Sequence, residues 1–101
     1  MARICVDINK IKMENNSCLY EVETKDEGGA SFFVRVDKVA RRVDVYLNKD
    51  FIAPVLSVNT DEEREIGEIQ GISRSILLHV LWRCMQTYDK KEFPHSLSFC
   101  S

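Results

Sequence analysis

Apolar residues recur along this chain with two different periods, and the change of period divides it. From residue 3 to residue 48 they alternate with polar ones, the pattern of strands with one face buried. From 61 to 88 they return every three or four positions, the pattern of a helix.

The first stretch reads as an antiparallel meander. Ile4, Val6 and Ile8 alternate, then Ile11 and Met13 resume on the other parity, which calls for a bulge or a bend near Asn9 and Lys10. Asn15 and Asn16 form a two-residue turn, since Asn tolerates the positive φ such turns need. Glu27-Gly28-Gly29 and Lys38 to Arg41 supply the next two turns.

Directly opposed residues share a face, so matching apolar partners sets the registers. Glu14 opposite Ser17 brings Met13 to Cys18 and Ile11 to Tyr20. A three-residue loop at 27–29 brings Thr24 to Phe32, Val22 to Val34 and Tyr20 to Val36. Asp37 opposite Arg42 brings Val36 to Val43 and Val34 to Val45. The same registers line up Lys10, Glu21, Arg35 and Asp44 as alternating charge on the outer face, with Glu23, Phe33 and Tyr46 beside them.

Residues 49–60 cross from sheet to helix. Pro54 excludes a central strand, although Val55 to Val58 suits a short edge strand. Thr60 and Glu63 make a capping box, and Asp61, Glu62 and Glu65 suit the positive end of a helix dipole. A core stripe of Ile66, Ile69, Ser73, Ile76, Leu77, Val80, Cys84 and Tyr88 follows. Gly67 and Gly71 inside it mark a kink, a break or a close approach to the sheet. The expected fold class is α+β: four strands, with a fifth allowed, in an antiparallel β-meander packed on one long C-terminal α-helix.

That helix carries a second apolar stripe, Leu78, Trp82 and Met85, which one-sided burial leaves bare. Two covers suggest themselves: the tail 89–101, with Phe93, Leu97 and Phe99, or a second chain, identical or not. The tail docked on the helix is the expected cover, and a dimer is the other.

Composition adds limits. The 101 residues make one domain, 45% apolar and 30% charged, with 14 Lys+Arg against 16 Asp+Glu. Such balance excludes a disordered chain and gives no overall pull toward nucleic acid or anionic membranes. The most apolar run, Ile76 to Trp82, is far short of a membrane span, and Asp7 interrupts any signal-peptide core. The expected compartment is therefore the cytoplasm, with Cys5, Cys18, Cys84 and Cys100 as reduced thiols.

Candidate chemistry is sparse. His79 and Cys84 are five apart, as are His95 and Cys100, and five residues on a helix point ligands in divergent directions, so no metal site is assigned. No cysteine stands at an electropositive helix N-terminus that would lower its pKa. Glu21 and Glu23 share a strand face, but Lys10 and Arg35 opposite them favour ionised, solvated carboxylates over a general acid. Gly28-Gly29 joins two strands and does not lead into a helix, which argues against a phosphate loop. No catalytic residue and no cofactor is assigned.

The leading expectation is a non-enzymatic, intracellular protein-interaction module, an adaptor or small inhibitor of one partner. It would bind through the outer sheet face, with Phe33, Arg35 and Tyr46 at the centre and Glu21 and Glu23 beside them, since aromatics and Arg are enriched at interfaces. A second reading is nucleic-acid binding by the basic hairpin Lys38, Arg41 and Arg42. A third is a small metal-assisted enzyme.

Overall fold

The structure, a computed structural model, describes residues 5–25, 29, 31–59 and 69–100. Six strands and one helix follow in the order β1 (Cys5–Glu14), β2 (Ser17–Thr24), β3 (Ser31–Asp37), β4 (Arg42–Tyr46), β5 (Leu56–Asn59), α1 (Arg74–Met85) and β6 (Phe99–Cys100). The strands form a single antiparallel sheet, ordered β5-β4-β3-β2-β1-β6, that curls as a half-barrel. The mixture of sheet and helix agrees with expectation. The element numbers do not: six strands stand where four or five were expected, and α1 has 12 residues in place of a long helix over 61–88.

Two turns form as their residues dictate. Asn15 takes φ 39° between Glu14 and its partner Ser17. At the β3–β4 turn, Asp37 Oδ1 accepts from the N–H groups of Val39 and Ala40, and Arg41 closes the turn at φ 52°. That local lock fixes Asp37 opposite Arg42, Val36 opposite Val43 and Val34 opposite Val45, as the apolar matching predicts.

Two registers differ from expectation. The β1 bulge lies between Lys10 and Lys12, so Lys10 faces Tyr20 and Ile11 falls in the bulge, half exposed. The β2–β3 pairing is slipped by two residues: Val22 faces Phe32, Tyr20 faces Val34 and Cys18 faces Val36. A two-residue slip keeps every side chain on its face, so apolar matching cannot tell the two registers apart. The strand bounds differ accordingly: β2 ends at Thr24 and β3 begins at Ser31, a wider separation than the three-residue loop at 27–29 allows. On the outer face the slip dissolves the predicted four-strand charge row. Arg35 still opposes Asp44, but its other neighbour is Leu19, and Glu21 now opposes Phe33.

The inner face carries Val6, Ile8, Cys18, Tyr20, Val22, Phe32, Val34, Val36, Val43 and Val45, all essentially inaccessible. From α1, Ile76, Leu77, Val80, Leu81 and Cys84 close over it. Each such aliphatic or aromatic side chain contributes roughly 1.5–3 kcal/mol by burial.

The helix starts late because the chain turns first. Ile69 and Ile72 exchange two backbone hydrogen bonds (3.1 and 2.8 Å) around Gln70 at φ 42° and Gly71 at φ 86°. Gly71 tolerates that left-handed conformation where an L side chain is strained. Ser73, predicted as a core-stripe residue, is instead the N-cap: its Oγ accepts from the Ile76 N–H at 3.3 Å. The expected capping box at Thr60 and Glu63, with Ile66 and Gly67, lies outside the described residues.

The tail joins the sheet. Residues 95–100 run along the free edge of β1, with Lys10 N–H donating to the His95 carbonyl, Leu97 N–H to that of Ile8, and Cys5 and Val6 paired with Cys100 and Phe99. Phe93 and Leu97 are buried in the same core that α1 closes over, and Phe99 lies beside His79 and Arg83 of α1. Of the second helical stripe, Leu78 and Met85 are partly buried against the core, and Trp82 stays bare at 59% exposed.

The expectation of four reduced thiols is also overturned. Cys5 and Cys100 stand directly opposite each other at 4.1 Å between Cα atoms and form a disulfide, while Cys18 and Cys84 are free and buried. The bridge links residues 95 apart and restrains the unfolded chain, worth about 2–4 kcal/mol. No helix among the described residues is long and apolar enough to cross a membrane.

Candidate functional site

The outer sheet face is not an open row of side chains. Beyond β4 the chain turns at Asn48 to Asp50 and lays Phe51 back onto the sheet. The turn is held by Phe51 N–H to the Asn48 carbonyl and by Ile52 N–H to Asp50 Oδ1, with Phe51 at φ 55°. Phe51 then meets Phe33 and Tyr46 edge-on, at 5.7 and 5.1 Å between ring centroids. The guanidinium of Arg35 lies over the rings of Tyr46 and Phe51 at 5.8 and 6.0 Å.

Strand pairing builds this cluster. Phe33 is directly opposite Tyr46, and Arg35 directly opposite Asp44. Tyr46 is the floor, only 3% exposed, while Phe33, Arg35 and Phe51 stand half-buried around it and Ile52 beside Phe51 is 78% exposed. Burial pushes the Tyr46 phenol above its ordinary range; the charge of Asp44 adds to the shift, and Arg35 and Arg42 oppose it.

Arg35 also joins the cluster to a second feature. Its Nη2 lies 3.5 Å from Glu14 Oε1, at the mouth of an open concavity of about 430 Å³ between the two hairpin turns, bordered by Glu14, Ser17, Arg35 and Asp37. Asp44, 4% exposed, is paired with Arg42 Nε at 3.2 Å.

Of the five residues expected to bind a partner, Phe33, Arg35 and Tyr46 come together. Glu21 borders Phe33 across the strands, and Glu23 stands apart, opposite Asp7 and Ser31. Two members escaped the sequence reading. Phe51 lies in a crossover without hydrophobic period, and Glu14 becomes the partner of Arg35 only after the two-residue slip.

The basic hairpin is occupied by the chain's own groups. Lys38 Nζ donates to the Lys90 carbonyl and lies 4.9 Å from the Phe93 ring centroid. Arg41 pairs with Asp89 at 3.4 Å and covers the Tyr88 ring. Lys38, Arg41 and Arg42 thus tie the β3–β4 turn to the turn after α1 and to Asp44.

His79 is exposed, with its Nδ1–H donating to the Ser75 carbonyl at 2.7 Å and its ring stacked on Phe99. With Leu78 and Trp82 it borders an open apolar groove of about 420 Å³. Among the described residues no group of three or more His, Cys, Asp or Glu side chains is placed to hold a metal ion. Burial pushes the Cys84 thiol up to about 12 and raises that of Cys18, which makes both poor nucleophiles.

Set against known proteins, the chain matches no family model and no solved structure.

Proposed function

We propose that the chain is a non-enzymatic protein-interaction module that binds its partner through the outer sheet face. One observation carries the reading: Phe33, Arg35 and Phe51 are held half-exposed around a buried Tyr46, with Ile52 protruding beside them. Interfaces concentrate their energy in a few aromatic and Arg side chains within a polar rim. Here the rim is Glu14, Glu21 and Asp37, and ring-on-ring packing orders the cluster before any partner arrives, which lowers the entropy cost of binding.

Tyr46 is unsuitable as a probe because its removal would undermine the cluster's floor. The test uses Phe33→Ala and Ile52→Asp, with Trp82→Ser on the helix as control. A tagged chain is used to capture proteins from its native lysate, and retention is measured by mass spectrometry. A partner should be held by the unaltered chain and by Trp82→Ser, and weakened at least about tenfold by Phe33→Ala and by Ile52→Asp. Equal retention by all four chains removes the outer face from the assignment.

A further inference from the structure

We propose that the Cys5–Cys100 disulfide is a reducible clasp that holds the last three described residues, Ser98 to Cys100, on the edge of β1, and that a dithiol reductant opens it. The proposal concerns the sheet edge opposite β5 and does not rest on the outer-face reading.

The tail is attached in two unequal parts. Residues 93–97 are anchored independently of the disulfide. Phe93 and Leu97 are buried, Tyr20 Oη donates to the Pro94 carbonyl at 2.8 Å, and Lys10 N–H donates to the His95 carbonyl at 2.8 Å. Beyond Leu97 the attachments thin out. Ser98 Oγ accepts from the Ile8 N–H at 3.0 Å, Phe99 rests on His79 and Arg83, and β6 contributes only two residues of ladder. The disulfide is the one covalent hold on that part, and Cys100 is exposed where a reductant can reach it.

The chemistry balances with one dithiol. Its thiolate attacks Cys100 Sγ, the disulfide bond breaks, and Cys5 leaves as a thiolate that takes up a proton. The second thiol of the reductant attacks the mixed disulfide, releasing Cys100 as a thiol. Two electrons pass to the protein, and the dithiol ends as its own disulfide. The other two cysteines cannot short-circuit the exchange: Cys18 and Cys84 are fully buried, and their thiols resist ionisation.

Opening the clasp frees the Ile8 N–H from Ser98 and lifts Phe99 away from His79 and Arg83. The edge of β1 near Cys5 to Ile8 and the flank of the Trp82 groove then become accessible together. Lys10, bonded to His95 upstream of the clasp, stays protected. The two amides therefore make an internal control within one strand.

The test is amide hydrogen exchange of the full chain under three conditions: oxidised, treated with a dithiol, and as Cys100→Ser. Thiol titration of the denatured oxidised chain accompanies it. Two free thiols are expected, and the Ile8 amide should exchange about tenfold or more faster after reduction and in Cys100→Ser, with Lys10 and Val34 within about twofold. Four free thiols in the oxidised preparation would overturn the proposal, because the clasp would not exist. Unchanged exchange at Ile8 would overturn it as well, and so would equal acceleration at Ile8, Lys10 and Val34, which marks loss of the whole fold.

Discussion

The two faces of one sheet are held by different physics, and adjacent residues show it. Phe32 and Phe33 follow one another on β3, yet Phe32 is 0% exposed in the inner core while Phe33 stands half-buried on the outer face. The inner face is settled by volume: Val22, Val34, Val45, Leu77 and Val80 surround one another without access to water. The outer face is settled by geometry, with rings edge-on, a guanidinium above them and carboxylates at the margin. A packed interior is intolerant of lost volume, whereas a half-exposed cluster can lose a member and stay folded. That tolerance is what the proposed binding role of the outer face requires.

The largest expected contrast is between the two phenylalanines. Phe32→Ala should cost about 3–5 kcal/mol in denaturant unfolding, as buried aromatic truncations do. Phe33→Ala should cost about 1–2 kcal/mol, since it forfeits partial burial and one ring contact. Equal costs would erase the distinction between the faces.

A smaller effect sharpens the inner face through pH. The folded-state pKa of Cys84 is raised from 9.0 to about 12 by burial, so the unfolded chain ionises first as pH rises. Its contribution to stability is intact below pH 9 and is lost between about 9 and 12, at up to about 1.4 kcal/mol per pH unit. Tyr20, also raised by burial, acts in the same direction at higher pH. Urea midpoints should fall steeply above pH 9, and Cys84→Ala should flatten the first part of the fall. An unchanged slope in that variant would show that ionisation of this thiol does not set the alkaline limit.

The smallest effect belongs to the outer face. Glu14→Gln removes the ion partner of Arg35 at 3.5 Å, where both side chains are partly exposed, and should change stability by less than about 1 kcal/mol in urea titration. A larger loss would mean that the Glu14–Arg35 contact supports the fold as well as orienting the cluster.

These contrasts also explain what was legible in the sequence. Alternation identified the inner face of β2, β3 and β4, because burial demands apolar side chains at every second position, whereas Ile11 and Met13 of β1, also read as apolar-face residues, are half exposed. The β3–β4 register was legible because the Asp37 turn leaves it no freedom. The β2–β3 register was not, since both candidate loops keep Val, Phe and Tyr on the inner face. The helix was overextended because Ile66, Ile69, Ser73 and Ile76 keep a helical spacing across the turn at Gln70 and Gly71, where Ser73 serves as the N-cap. The outer cluster was half legible: Phe33, Arg35 and Tyr46 sit on strands with a period, whereas Phe51 arrives from a segment that has none. Two-residue β6 is too short to alternate, and nothing in the spacing of Cys5 and Cys100 reveals that strand order makes them neighbours.

The strand order has a consequence for how the molecule assembles. From β1 to β5 every neighbour in the sheet is also the neighbour in sequence, so each pairing closes a short loop and can zip onto the last. Only β6 breaks the rule, returning past all the others to lie beside β1. Its contact order is near the maximum the chain allows, and that ladder is repaid only once the hairpins and α1 have brought the ends of the path together. The β1–β6 ladder, two residue pairs and one disulfide, thus closes nearly the whole chain into a loop, whereas every other ladder in the sheet closes only the segment between successive strands.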